Sequence, residues 1–131
     1  MANIPENYRD LFTKKGFAHL ATIGADGRPQ VTPVWCDLDG GDVRINTARG
    51  RVKDRNLKAN PNVALSIQDP ENAYRYVQVR GRVTEMTEQG ADEHIDALAK
   101  KYLGKDKYPG RKPGEVRVIV TIKPDAVQGM G

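Results

Sequence analysis

The sequence predicts a small, closed or partly closed antiparallel β-barrel in an α+β arrangement. Three observations carry that reading: six short runs rich in β-formers, hairpin signals between them such as Asp26-Gly27 and Gly40-Gly41, and only three stretches with helical spacing. A helix that interrupts the strand succession after the third run fits a barrel with an irregular edge, where ligands usually enter, better than a sandwich.

In chain order, Pro5 to Phe12 places Pro near a helix start and Tyr8, Leu11 and Phe12 on one side, predicting a short helix that ends by Gly16. Phe17 to Ile23 alternates, and Ala25 to Pro29 supplies a turn before a second extended run from Gln30 to Cys36. A turn at Asp39-Gly40-Gly41-Asp42 leads into Val43 to Thr47, so the first three strands are expected to form a meander. Beyond a basic helix stopped at Asn60-Pro61, Val63 to Ile67 reads as a short buried strand closed by Asp69-Pro70. Tyr76 to Val83 alternates strictly, with Val77, Val79 and Val83 on one face, Tyr76, Gln78, Arg80 and Arg82 on the other, and Gly81 as a bulge candidate. Glu88 to Leu103 carries Ile95, Leu98, Ala99, Tyr102 and Leu103 at helical spacing, an amphipathic helix for packing on the sheet whose polar face has no special feature. The segment from Gly104 to Gly114 reads as a mobile loop, and Val116 to Ile122 as the last strand. No repeat and no second domain are visible, so residues 1–131 are expected to form one domain.

The chemistry concentrates in Asn46-Thr47-Ala48-Arg49-Gly50-Arg51-Val52-Lys53-Asp54-Arg55-Asn56-Leu57, a strand end, a glycine turn and a helix start. Arg49, Arg51, Lys53 and Arg55 crowd where a helix exposes unpaired N–H groups and the positive end of its dipole. A basic first turn is a local conflict that a bound anion, most naturally a phosphate, would relieve; the alternative is a solvated helix face. The chain carries 21 Lys+Arg against 17 Asp+Glu, a net charge of +4 that suits an anionic small molecule at least as well as nucleic acid. The basic run lacks interleaved aromatics and matches no nucleic-acid module. No apolar run approaches membrane-spanning length and the first residues are too polar for a signal peptide, so a soluble cytoplasmic protein is expected. His19 and His94 have no Cys or His at ligand spacing, which argues against metal. Cys36 reads as a packed small hydrophobe, and Trp35 is open between a substrate pocket and a core or dimer contact.

The run His19 to Pro29, the pair Val34-Trp35, the segment Arg49 to Leu57 and the segment Asn60 to Leu65 together resemble the flavin and deazaflavin oxidoreductases related to pyridoxamine 5'-phosphate oxidase. The likeness is greatest to the branch that uses the deazaflavin coenzyme F420. It implies a split β-barrel homodimer with the cofactor across the subunit interface. Lys53 then matches the phosphate-binding lysine, with Arg51 and Val52 beside it and Asn56 supporting the turn. Gln30, Thr32, Pro33 and Val34 match the strand along the tricyclic ring, Asn46 and Thr47 its neighbour, and Tyr76 a position contributed by the partner subunit. The oxidase branch has an Arg-Lys pair where Val52 precedes Lys53, and a C-terminal substrate-phosphate segment that is not seen before Gly131. The resemblance therefore implies hydride transfer between F420 and a small conjugated or quinone-like substrate, with no protein nucleophile required. The other readings are an FMN-dependent oxidoreductase and a non-catalytic cofactor or tetrapyrrole carrier. The extra cations favour F420, whose tail continues into carboxylates.

Overall fold

A computed structural model describes residues 2–131. A 3-10 helix spans Glu6–Phe12, followed by β1 (Ala18–Ile23), β2 (Pro29–Val34), β3 (Cys36–Asp39), β4 (Asp42–Ala48), α1 (Val52–Ala59), β5 (Asn62–Asp69), β6 (Asn72–Thr87), α2 (Ala91–Leu103) and β7 (Arg117–Met130). The strands form one antiparallel sheet in the order β2-β1-β5-β6-β7-β4-β3, curled into a half-barrel. The fold is an α+β split barrel.

Two expectations about the strands fail for one reason. The run from Gln30 to Cys36 is not one strand but two, broken at Trp35, and the first three strands are not a meander. β1 pairs with β2 and β3 with β4, and these two hairpins occupy opposite edges of the sheet. Pro29 and Pro33 have no N–H to donate to a ladder, which suits β2 to an edge, where it pairs with β1 alone. Since only Trp35 separates β2 from β3, the two edges of the sheet must come together at that residue. The register shows where they part again. Cys36 lies opposite Ile45, so β4 has no β3 partner from Asn46 onward. Here the barrel is split, and α1 packs across the opening against β1 and β4.

The predicted alternation of β6 holds, with Val77 and Val79 buried and Gln78, Arg80 and Arg82 exposed. The ladder to β7 shifts register between Arg80 and Gly81, where a Cβ would collide with the Lys123 carbonyl. β6 and β7 run well beyond their predicted ends, and β5 is buried on one face only, through Val63, Leu65 and Ile67. The barrel core joins Leu20, Ile45, Leu65, Ile67, Val77, Val118 and Ile122 to Leu11 and Phe12 of the 3-10 helix and Leu57 of α1. Each such side chain contributes about 1.5–3 kcal/mol by leaving water.

In α2, Ile95, Leu98, Ala99 and Tyr102 are buried as expected, whereas Leu103 is exposed, since the helix ends there at Gly104 in the left-handed region. Its polar side is also more than a solvated face. His94 is buried, and the Lys101 ammonium donates to the Cys36 carbonyl at 2.6 Å and to that of Phe12. Tyr102 donates to the Gly16 carbonyl at 2.8 Å and accepts from the Cys36 N–H at 3.2 Å. Together these contacts clamp α2 over the junction of the two sheet edges.

Candidate active site at the barrel split

A pocket of about 210 Å³ opens where β2 and β4 part. Pro33, Val34 and Trp35 form one side, Asn46 and Thr47 another, Arg51 and Lys53 the cationic rim, and Ile95 and Leu98 of α2 an apolar wall. Phe17, Tyr108 and Arg117 complete it. Trp35 stacks on Tyr102 at 5.2 Å between ring centroids and meets Tyr108 edge-on at 5.9 Å, so it lines the pocket and belongs to the packed aromatic cluster behind it.

The basic turn sorts into different roles. Asp54 is buried in the first turn of α1 and accepts the Gly50 N–H at 2.9 Å, Arg49 at 3.2 Å and Lys58 at 3.4 Å. Burial pushes that carboxyl up, but the Gly50 hydrogen bond and the cations outweigh it and hold it below its ordinary value. The conflict between positive charge and helix dipole is thus partly answered within the chain. Arg49 also pairs with Glu88 at 3.0 Å, Arg51 pairs with Glu115 at 3.3 Å, and Arg55 is exposed.

Lys53 differs from its neighbours. It is half-buried in the pocket and, among the described residues, meets no carboxylate; burial first, and Arg51 second, hold its ammonium below the ordinary lysine range. A cation in that position favours a bound anion. The capping residue Arg51 makes no side-chain cap, so no side chain at that position satisfies the first N–H groups of α1.

The remaining predicted residues fall into three groups. Thr32 follows the alternation of β2 onto the same face as Val34, and its hydroxyl oxygen is the buried side-chain polar atom left without a partner among the described residues. Gln30 shares that face nearer the hairpin, and neither residue lines the pocket itself. Asn56 donates to the Thr22 hydroxyl at 3.0 Å in a buried contact that ties α1 to β1, while Val52 points to solvent. Tyr76 sits on β6 opposite Gln68 and Met130, away from the pocket of its own chain.

Sequence reasoning missed Arg117, Glu115 and Tyr108. Arg117 is buried at the start of β7, donates to Asn46 Oδ1 at 2.8 Å and to Glu115 at 3.0 Å, and lies 5.3 Å from the Tyr108 ring centroid. The signal available was Glu115-x-Arg117, two opposite charges on one face of an otherwise apolar run. The segment 104–114, expected to be mobile, is tied to α2: Asp96 accepts the Tyr108 N–H at 2.8 Å and Arg111 at 2.9 Å, and its carboxyl is held below its ordinary value chiefly by the Tyr108 hydrogen bond.

Residues 4–131 match the family model described as pyridoxamine 5'-phosphate oxidase. The chain belongs to that family. A solved structure described as an F420 reductase is 37% identical, with a TM-score of 0.83 over 95% of this chain and 98% of that one. A conserved hypothetical protein from Mycobacterium tuberculosis shares the fold at 23% identity and a TM-score of 0.73, over 97% of this chain and 84% of that one. General stress protein 26 from Bacillus anthracis does so at 16% and 0.71, over 95% and 92%. No curated protein matches. The family and the F420 reductase likeness support a flavin-type or deazaflavin-type oxidoreductase fold for this family member. No helix among the described residues is long and apolar enough to cross a membrane, and no cluster of three metal-ligating side chains is present among them.

Proposed function

We propose that this member of the pyridoxamine 5'-phosphate oxidase family is a coenzyme F420-dependent reductase acting on a small conjugated or quinone-like substrate. The observation that carries the reading is Lys53, a half-buried cation that meets no carboxylate among the described residues, at the mouth of a pocket walled by aromatic and aliphatic side chains. The 37% identity to an F420 reductase supports the choice of coenzyme.

The residues present fit such a group. Lys53 and Arg51, with the uncapped N–H groups of α1, would hold its phosphate, and the unpartnered Thr32 hydroxyl offers a buried polar contact beside β2. Gln30, Pro33 and Val34 would flank the ring on one side, Asn46 and Thr47 on the other, with Val52 and Asn56 shaping the turn. The bound coenzyme supplies the hydride-carrying carbon. The chain orients it, keeps water from it with Trp35, Tyr108, Ile95 and Leu98, and neutralises its charge. The substrate would rest against the aromatic wall.

Homodimerisation belongs to the same proposal. A largely apolar depression of about 410 Å³ lies on the sheet surface among Ala21, Ile23, Pro29, Val63 and Ala64, and Val31 is 63% exposed nearby on β2. A second copy covering this surface would bring a partner-side aromatic, assigned to Tyr76, toward the coenzyme. Turnover tests the reading: reduced F420 should be oxidised when a panel of quinones and conjugated enones is supplied. Turnover with reduced FMN alone would move the protein to an FMN-dependent oxidoreductase, and coenzyme binding without turnover would favour a carrier.

A further inference from the structure

Along one side of the pocket runs a partly buried chain of side chains, Asp37, His94, Asn46, Arg117 and Glu115, of which the proposed reaction uses only Asn46. Asn46 is its hinge. The Asn46 Nδ2 group lies 2.9 Å from the Ala91 carbonyl and 3.1 Å from His94 Nδ1, while Asn46 Oδ1 lies 2.8 Å from Arg117 Nε. The amide has one workable orientation. Reversing it would set an NH2 group against the Arg117 N–H, a donor against a donor, and an oxygen against the Ala91 carbonyl, an acceptor against an acceptor. Both Nδ2 hydrogens are therefore committed, one to Ala91 and one to the imidazole.

The state of His94 follows. Since Asn46 donates, Nδ1 must accept, so the proton resides on Nε2, which faces the Asp37 carboxylate at 3.2 and 3.3 Å. Asp37 is in turn fixed by Arg44 through two contacts of 3.0 and 2.9 Å. At the other end Arg117 bonds Glu115, which also pairs with Arg51 on the pocket rim. The imidazole on α2, the amide on β4, the guanidinium on β7 and, through Glu115, a cation at the start of α1 thus form one continuous hydrogen-bonded chain.

We propose that His94 is a positioning residue of this pocket, whose unprotonated Nδ1 accepts the second Asn46 hydrogen and, together with the Ala91 carbonyl, holds the amide where it aims the Arg117 guanidinium and, through Glu115, that of Arg51. The consequence for ligand affinity rests on the reading that the pocket holds the coenzyme phosphate; the tautomer and the aim of Arg117 do not. A merely structural His94 would require only its volume. A positioning His94 requires an acceptor at the Nδ1 place, which Asn supplies through Oδ1 and Leu does not.

The test uses the full chain without ligand first. Long-range 15N spectra of the imidazole should show His94 protonated on Nε2 alone, and the Arg117 Nε–H resonance should be retained in His94→Asn and displaced in His94→Leu. Nδ1 protonation, or an Arg117 resonance that His94→Leu leaves in place, overturns the proposal even if a variant folds poorly, since the first readout needs only the wild type. Titration with F420 and with FMN follows. Affinity within about threefold of wild type for His94→Asn and roughly tenfold weaker for His94→Leu supports the link to the pocket; equal affinity in both variants overturns it. If the wild type binds neither coenzyme while the spectra behave as stated, the coenzyme reading falls and the positioning of Arg117 stands.

Discussion

Lys53 is the side chain on which the binding account depends, because its neighbours already have partners inside the chain. Arg49 and Arg51 are paired, whereas Lys53 is half-buried and meets no carboxylate among the described residues. Lys53→Ala should weaken coenzyme binding roughly ten- to a hundredfold, equivalent to about 1.5–3 kcal/mol for a charge-assisted contact. Calorimetric titration measures it. The melting temperature of the ligand-free variant should be unchanged or slightly raised, since a cation leaves the positive end of a helix dipole. Asp54→Ala should do the reverse to the fold: the Gly50 N–H loses its acceptor, at a cost of about 1–3 kcal/mol in urea melts. At this scale the sequence was informative wherever residue type and local position coincide, as at Lys53 and Arg51 beside a helix start. It was silent on Arg117 and Glu115, which reach Asn46 and Arg51 only because β7 pairs with β4.

Elements were legible in type and less so in partnership. Gly81 was readable as a bulge because a glycine interrupts strict alternation, and the ladder shifts there. Gly81→Val should destabilise by about 1–3 kcal/mol or more, since the new side chain meets the Lys123 carbonyl and Ile122, with loss of the cooperative thermal transition at physiological temperature as the extreme result. The meander failed because hairpin signals report that two strands are joined, not which other strands they face; the two prolines of β2 were the available clue to its edge position. The attachment of the 3-10 helix was invisible in sequence. Beside the core packing of Leu11 and Phe12, it uses Asp69, whose carboxylate accepts from the Glu71 N–H and from Lys14 and Arg75, while Arg75 also holds Asp10 at 2.7 Å. The Glu71 hydrogen bond, then Lys14 and Arg75, lower the Asp69 pKa from 3.8 to about 2 against the effect of burial. A depressed carboxylate stabilises the folded state above its ordinary pKa, and that contribution is lost as pH falls through about 2. Asp69→Asn should therefore be less stable than wild type at neutral pH and show a shallower acid limb between those two values in pH-dependent melts.

At the scale of the molecule, the split barrel explains why the pocket lies where it does. Two sheet edges joined at Trp35 must diverge beyond it, and the helix that spans the opening carries the cations. The barrel was foreseeable from short strands and turns, and its family from motif order; the curl, the register and the aromatic backing of the pocket needed three-dimensional placement. The apolar sheet surface around Ala21, Val31 and Ala64 leads to the expectation of a dimer in sedimentation at micromolar concentration. A monomer that still binds coenzyme would remove Tyr76 from the site. The most direct test of the central claim is a parallel fluorescence titration of the purified full chain with F420 and with FMN. The account predicts saturable binding of F420 with a dissociation constant at least tenfold lower than that of FMN, and equal or tighter binding of FMN would contradict it.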